Sequence, residues 1–328
     1  MSKSICKSSM RAAVVRRFGA PDVIEAVESD MPRLEKNQVL VRNYAAGVNP
    51  VDTYIRAGQY GKLPNLPYVP GKDGAGFVEL VGESVKNVKV GDRVWYGSEA
   101  DSTAEYVAVN RPFELPEGVS FEEGASLGVP YLTAYRALFH LAGAKTGDVI
   151  LVHGASGGVG SALMQLAAWR NIEAVGTAGS ADGIRFVKSL GARNVYNHSD
   201  KQYVSKMKND YPGGFNHIFE MAAHTNLNTD LGLLAPRGRV AVIGNRAETT
   251  INARQLMVTE GAVYGVALGM SSEAELLDFG INIVSFLKET EFRPLINKLY
   301  RLEQLGLAHE EIMNNKGAKG NLVVQIEH

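Results

Sequence analysis

Residues 149 to 160 carry the arrangement with the clearest chemical use: Val149-Ile150-Leu151-Val152-His153-Gly154-Ala155-Ser156-Gly157-Gly158-Val159-Gly160. A β-branched run ends in glycines, and Ala155, Gly157 and Gly160 take the G-x-G-x-x-G spacing of a dinucleotide site with alanine in the first place. A side chain at Gly157 would hold backbone N–H groups away from a pyrophosphate. Gly160 lets the next helix close on the strand, and the N-terminus of that helix stabilises the anion. About 20 residues on, an NAD site places Asp or Glu against the ribose 2′-hydroxyl. This chain has Thr177-Ala178-Gly179-Ser180 there. A 2′-phosphate would meet hydroxyls and N–H groups rather than like charge, so NADP(H) is the expected cofactor. Asp182 stands close by and opposes this in charge, while also suiting the role of a helix N-cap.

Metal chemistry has few donors to draw on. The 328 residues include one cysteine, Cys6, and seven histidines without an H-E-x-x-H run. That excludes a disulfide framework and a Cys-rich zinc site, and it suits a reducing, cytoplasmic setting. A formal net charge of −1 excludes binding to nucleic acid or anionic membranes through bulk charge. The uncharged stretch Val149 to Trp169 has the length of a membrane span, yet glycines, His153 and Gln165 interrupt it. It reads as strand, turn and helix, and no membrane association is expected. Met1 to Met10 reads as a disordered leader before a folded part that opens at Met10-Arg11-Ala12-Ala13-Val14.

The elements that must position this turn follow from periodicity. Up to about residue 128, strand-sized runs such as Gln38 to Tyr44, Gly76 to Gly82 and Gly91 to Gly97 are separated by turns, as in a β-rich barrel. Between about 130 and 270, strands alternate with helices. Strands are expected at Val149–Val152, Ala174–Thr177, Asn194–Asn197, His217–Met221 and Arg239–Ile243, and helices at Ser161–Arg170, Asp182–Leu190 and Leu227–Leu234. Such alternation predicts right-handed βαβ units and a parallel sheet. From about 272 one or two helices precede a closing strand, Leu322 to Ile326, which needs a partner edge and could return to the first half.

The segment Pro70-Gly71-Lys72-Asp73-Gly74-Ala75-Gly76 bears on the metal question again. Zinc alcohol dehydrogenases carry G-H-E at such a place, and here the His-Glu pair is Lys72-Asp73, so a zinc with the usual Cys and His ligands cannot be assembled. With Ala46 to Arg56, Val129 to Ala134, His153 to Gly160 and Asn194 to His198, the chain resembles the zeta-crystallin-like quinone oxidoreductases, the zinc-free branch of the medium-chain dehydrogenase/reductase superfamily. The resemblance runs from Met10 to about Ile326. It implies an α/β protein in which a Rossmann domain, residues 130–271, is inserted in a GroES-like β-barrel catalytic domain, residues 1–129 and 272–328. It also implies a homodimer or homotetramer and NADPH-dependent reduction of quinones or related activated alkenes.

By that resemblance Asn49 and Tyr54 contact the nicotinamide end, with Thr133 near it. Gly157, Gly158, Val159 and Gly160 hold the pyrophosphate, Gly179 and His198 lie on the adenosine phosphate side, and Asn226 with Gly244, Asn245 and Arg246 completes the cradle. The position of Gly244 after a parallel strand agrees, because ligands of such sheets gather at the carboxyl ends of strands. The chain departs from the pattern at Asn321 and near Gly183, where relatives carry a basic residue that Lys319 or Arg185 could replace. Hydride passes directly to a quinone, so no side-chain acid is obligatory. Water can supply the proton, and Tyr54 or Tyr60 could polarise the carbonyl. Two other readings stand beside this one: reduction of an alkenal or enone, and the AU-rich RNA binding or structural role of zeta-crystallins. The absence of a Lys/Arg-rich block disfavours RNA.

Overall fold

The computed structural model describes residues 8–314 and 319–328. The chain is of the α/β class and forms two compact units, one running to Val129 and resuming at Leu276, the other Pro130–Glu275 with Lys319. Among the described residues no helix is long and apolar enough to cross a membrane.

The first unit opens with β1 (Ser9–Val15) and β2 (Ile24–Asp30), an antiparallel ribbon in register from Ser9↔Asp30 to Val15↔Ile24. The leader expected over Met1 to Met10 therefore ends sooner: Ser9 and Met10 are strand residues, and Met10 is buried because β1 needs an apolar face. Residues 1–7, Cys6 included, lie outside the described residues. Next come β3 (Val39–Val48), α1 (Pro50–Arg56), β4 (Asp73–Val81), β5 (Arg93–Tyr96), β6 (Tyr106–Val109), β7 (Phe113–Glu114) and α2 (Phe121–Ala125). β3 pairs antiparallel with both β4 and β6, and alternate valines of these strands, Val39, Val41, Val78, Val107 and Val109, share one core with Val94 and Tyr96. Period-two burial of β-branched side chains is what selects strands here.

The second unit follows α3 (Gly128–Tyr135) with β8 (Val149–Val152), α4 (Gly158–Trp169), β9 (Glu173–Ala178), α5 (Ala181–Ser189), β10 (Asn194–Asn197), α6 (Tyr203–Asp210), β11 (Phe215–Glu220), α7 (Ala223–Leu231), β12 (Leu234–Val242), α8 (Arg254–Thr259) and β13 (Ala262–Gly265). Its sheet is parallel throughout in the order β10-β9-β8-β11-β12-β13. The chain winds outward both ways from β8 and β11, the doubly wound Rossmann arrangement, whose ligands sit beyond the carboxyl ends where the winding reverses. Ile150, Leu151 and Val152 are fully buried, as expected of a central parallel strand. Two elements beyond those expected appear, and one cap is corrected. α6 and β13 escaped periodicity, since α6 buries only Met207 and β13 is a short edge. The N-cap of α5 is not Asp182 but Ser180, whose side chain accepts from Gly183 N at 3.1 Å while its backbone is still extended. Asp182 lies in the first turn and pairs with Arg185.

The chain then returns through α9 (Glu273–Glu289), β14 (Ile296–Arg301), α10 (Leu305–Asn314) and β15 (Asn321–Gln325). β15 joins β3 antiparallel, from Leu322↔Val48 to Gln325↔Ala45, and joins β14 parallel. The closing strand thus completes the seven-stranded sheet of the first unit, in the order β14-β15-β3-β4-β5-β7 with β6 also paired to β3.

Candidate active site

At the carboxyl end of β8 the chain turns through Gly154, whose φ of +58° lies in the left-handed region. Thr177, at the end of neighbouring β9, pins this turn twice: its Oγ1 accepts from Gly154 N at 3.1 Å and its carbonyl accepts from Ala155 N at 2.9 Å. Gly157 is the N-cap of α4 and has no side chain to satisfy the first N–H groups. Such N–H groups at a helix N-terminus favour an anion. The glycines serve different ends. A Cβ at Gly160 would lie 2.3 Å from the Gly154 carbonyl and 2.8 Å from Ala155 Cα, so helix and turn could not approach. A Cβ at Gly157 would meet only the Gly154 carbonyl at 3.5 Å, an ordinary contact. Packing inside the fold does not require glycine at 157.

Other candidate residues of this unit collect at the same sheet edge. Gly179 follows β9 and His198 follows β10, and a Cβ on Gly179 would come within 2.5 Å of His198 Nε2. Burial, with the charge of His153 behind it, holds the His198 pKa below the usual histidine value. Gly244, beyond β12, has its N–H on the Glu220 carbonyl at 3.1 Å. Asn226 on α7 donates to Glu220 Oε1 at 3.3 Å, Asn245 donates to the Ala247 carbonyl at 2.8 Å, and the exposed Arg246 donates its backbone N–H to His224 Nδ1 at 3.2 Å. Gly158 and Val159 form the first turn of α4, and Thr133 is buried on α3. Thr177 to Ser180, at the end of β9, include no carboxylate. The nearest in sequence, Asp182, is engaged by Arg185.

Beneath the fingerprint turn lies a cluster that periodicity did not single out. His153 Nε2 is 2.9 Å from Asp230 Oδ1 and 3.7 Å from Glu220 Oε2, and its Nδ1 is 3.3 Å from Thr177 Oγ1. All four side chains are buried. Burial raises the Glu220 pKa to about 7, against the opposing pull of His153. Burial also lowers that of His153, but Asp230 and Glu220 outweigh it and leave it raised. Their sequence separation hid the group, because only the sheet order sets the end of β8 beside the end of β11.

In the first unit Asn49 opens α1 and is 4% exposed. Its Nδ2 donates to Asp73 Oδ2 at 2.7 Å and its backbone N–H donates to Asp52 Oδ2 at 2.9 Å. Asp73 also accepts from the N–H groups of Val129 at 2.8 Å and Ser98 at 3.2 Å. Burial raises the Asp73 carboxyl to about 6. Burial and then the charge of Asp73 raise Asp52 to about 7, and Lys72 pulls both back down. Tyr54 is half-buried on α1, and Tyr60, just past it, is 44% exposed. A zinc ion does not fit these donors. The Asn49 amide is committed to Asp73, and Lys72 is a cation that attracts carboxylates rather than a metal ligand. Among the described residues the one group of three or more potential ligands is His153, Glu220 and Asp230, in the other unit.

Residues 35–122 match the alcohol dehydrogenase GroES-like domain, and residues 158–282 match the family described as zinc-binding dehydrogenase. The chain is similar to the quinone oxidoreductase of Mus musculus, 42% identical over 323 residues that cover 96% of this chain and 97% of the relative. Among solved structures it resembles a quinone oxidoreductase of Pseudomonas syringae, with a TM-score of 0.87 at 28% identity over 97% of this chain and all of that one. A mycobacterial protein complexed with NADPH matches with a TM-score of 0.86 at 26% identity, over 97% of this chain and all of that one.

Proposed function

The chain belongs to the quinone oxidoreductase family of medium-chain dehydrogenases/reductases, and from that premise we propose that it passes a hydride from NADPH to a quinone without a metal ion. The observation that carries this reading is the bare N-terminus of α4 behind Gly157, beside a β9 end that offers Thr177, Gly179 and Ser180 but no acid. When bound, NADPH supplies the hydride. Gly157, Gly158, Val159 and Gly160 would hold its pyrophosphate through backbone N–H groups, and Gly179 with His198 would take the 2′-phosphate side. Asn226, Gly244, Asn245 and Arg246 would close the cradle. Asn49, Tyr54 and Thr133 would orient the nicotinamide end.

The donor set of the first unit supports the metal-free step, because Lys72 and Asp73 stand where a zinc site needs His and Glu. Orientation and exclusion of competing reactions are then the main tasks of the protein. A hydroxyl of Tyr54 or Tyr60 would polarise the quinone carbonyl, with water returning the proton. In one NADPH-oxidation assay, 9,10-phenanthrenequinone should be reduced faster than an alkenal, and the reverse order would make the protein an enone reductase. NADPH should exceed NADH by about 10-fold or more in kcat/KM, the worth of one charge-assisted phosphate contact. A preference for NADH would overturn the cofactor assignment. Self-association through the second unit also belongs to this proposal. It is supported by the uncovered edge of β13 and by Met257, Val258 and Met270, each more than three-quarters exposed.

A further inference from the structure

The His153 cluster is more than a buried ion pair, because it touches three parts of the nucleotide cradle at once. Through Thr177 Oγ1 it reaches the N–H of Gly154 in the fingerprint turn. Glu220 Oε1 accepts from Asn226 Nδ2 and from the backbone N–H of Ala222, and the Glu220 carbonyl accepts from Ile243 and Gly244. Two carboxyls therefore face one imidazole in a space closed to water. One oxygen of each, Glu220 Oε2 and Asp230 Oδ2, has no hydrogen-bond partner. With both carboxyls ionised and the imidazole protonated, a net negative charge is buried directly under a turn that must accept phosphates. One oxygen of each carboxyl and a ring nitrogen of His153 lie within 4.8 Å of one another, and one additional proton shared between the carboxyls removes that charge.

We propose that His153, Glu220 and Asp230 are positioning residues of the cofactor site that hold a shared proton between the Glu220 and Asp230 carboxyls, and that binding of the polyanionic dinucleotide draws this proton from solvent. The inference rests on the nucleotide reading above and goes beyond it by assigning the linkage to named groups. Two other titratable groups lie near the cluster. Tyr203 on α6 faces both carboxyls, and its pKa is raised by burial first and then by their charge, so it stays neutral. His198, its pKa lowered by burial first and then by the charge of His153, can itself gain a proton beside bound phosphate, and uptake that persists unchanged in Glu220→Gln would belong to it. The raised pKa of Glu220, about 7, sets the proton in the working range.

Calorimetric titration of the full-length protein in two buffers of different ionisation enthalpy reads the protons taken up per dinucleotide. Both NADPH and NADH are needed, because the 2′-phosphate of NADPH titrates itself near about pH 6. The expected result near pH 7.5 is net uptake with either dinucleotide, and a Kd that rises about tenfold from pH 6 to 9 if binding lifts the Glu220 pKa by about one unit. Glu220→Gln, whose amide donates to Asp230 as the protonated acid does, should abolish the uptake and flatten the profile, and Asp230→Asn should reduce both. Binding without proton uptake in the wild type, unchanged uptake in Glu220→Gln, or a stoichiometric metal ion in the dialysed protein would each overturn this inference. Failure of both dinucleotides to bind would overturn the nucleotide reading with it.

Discussion

Asp52 and Asp73 show how strongly burial acts on single residues of the first unit. Both are almost fully buried, at 2% and 0% exposure, and Asp52 Oδ1 has no hydrogen-bond partner. The folded pKa of Asp52, about 7, is raised above the ordinary 3.8. A raised carboxyl binds its proton more tightly in the folded state, so its stabilising contribution is complete below the unfolded pKa and is lost as pH rises through about 7. Between pH 6 and 8 the wild type should therefore lose about 1 kcal/mol from this group. Asp52→Asn, which keeps an acceptor for the Asn49 N–H, should show a smaller loss when Tm is followed across the same range. An equal loss in both proteins would count against the assignment. For the proposed reaction, Tyr54 is half-buried on α1, the helix that Asn49 caps, whereas Tyr60 is 44% exposed. Tyr54→Phe should lower kcat/KM about 100-fold or more if its hydroxyl polarises the carbonyl, with Tyr60→Phe close to wild type. If both variants keep wild-type values, water alone serves.

At the scale of elements, the turn between β8 and α4 separates two uses of glycine that the spacing merges. Gly160→Ala brings a Cβ against backbone atoms at 2.3 and 2.8 Å. The helix must move, at a cost of about 1–3 kcal/mol, and both thermal stability and NADPH affinity should fall. Gly157→Ala meets no such obstacle inside the fold. Its melting temperature should stay close to that of the wild type while the NADPH Kd rises about tenfold or more, because a methyl group then stands where N–H groups meet phosphate. A Gly157→Ala protein that binds NADPH normally would remove the pyrophosphate from this turn. The strand–turn–helix was legible because all its instructions are local: a β-branched run, glycines at fixed spacing, and no charge. Asn194–Asn197 and Val149–Val152 appear with the expected bounds for the same reason. The cap of α5 was not. Ser180 and Asp182 are both good capping types, and only the backbone path out of β9 decides which oxygen reaches Gly183 N.

Across the whole molecule, the sheet of the second unit ends on β13, with exposed apolar side chains on nearby α8. If copies of the chain associate through this edge, light scattering should give a multiple of the 35.4 kDa chain mass. Val258→Asp should shift it toward the monomer, and a monomeric wild type would remove this part of the proposal. Local signals determined a great deal: the two kinds of periodicity, the glycine turn after β8, and a terminal strand in need of an edge. Each depends on residues within one or two turns of the chain. Tertiary structure alone decided which distant residues share an environment. β8 and β11 become neighbours only because the sheet reverses its winding there, and that brings His153, Glu220 and Asp230 together from 77 residues' separation. Likewise Asp73 meets Asn49 across 24 residues only when β4 pairs with β3. Ionisation follows burial and neighbours, which are properties of the packed chain, so the chemistry of these carboxyls could not be read from the order of their residues.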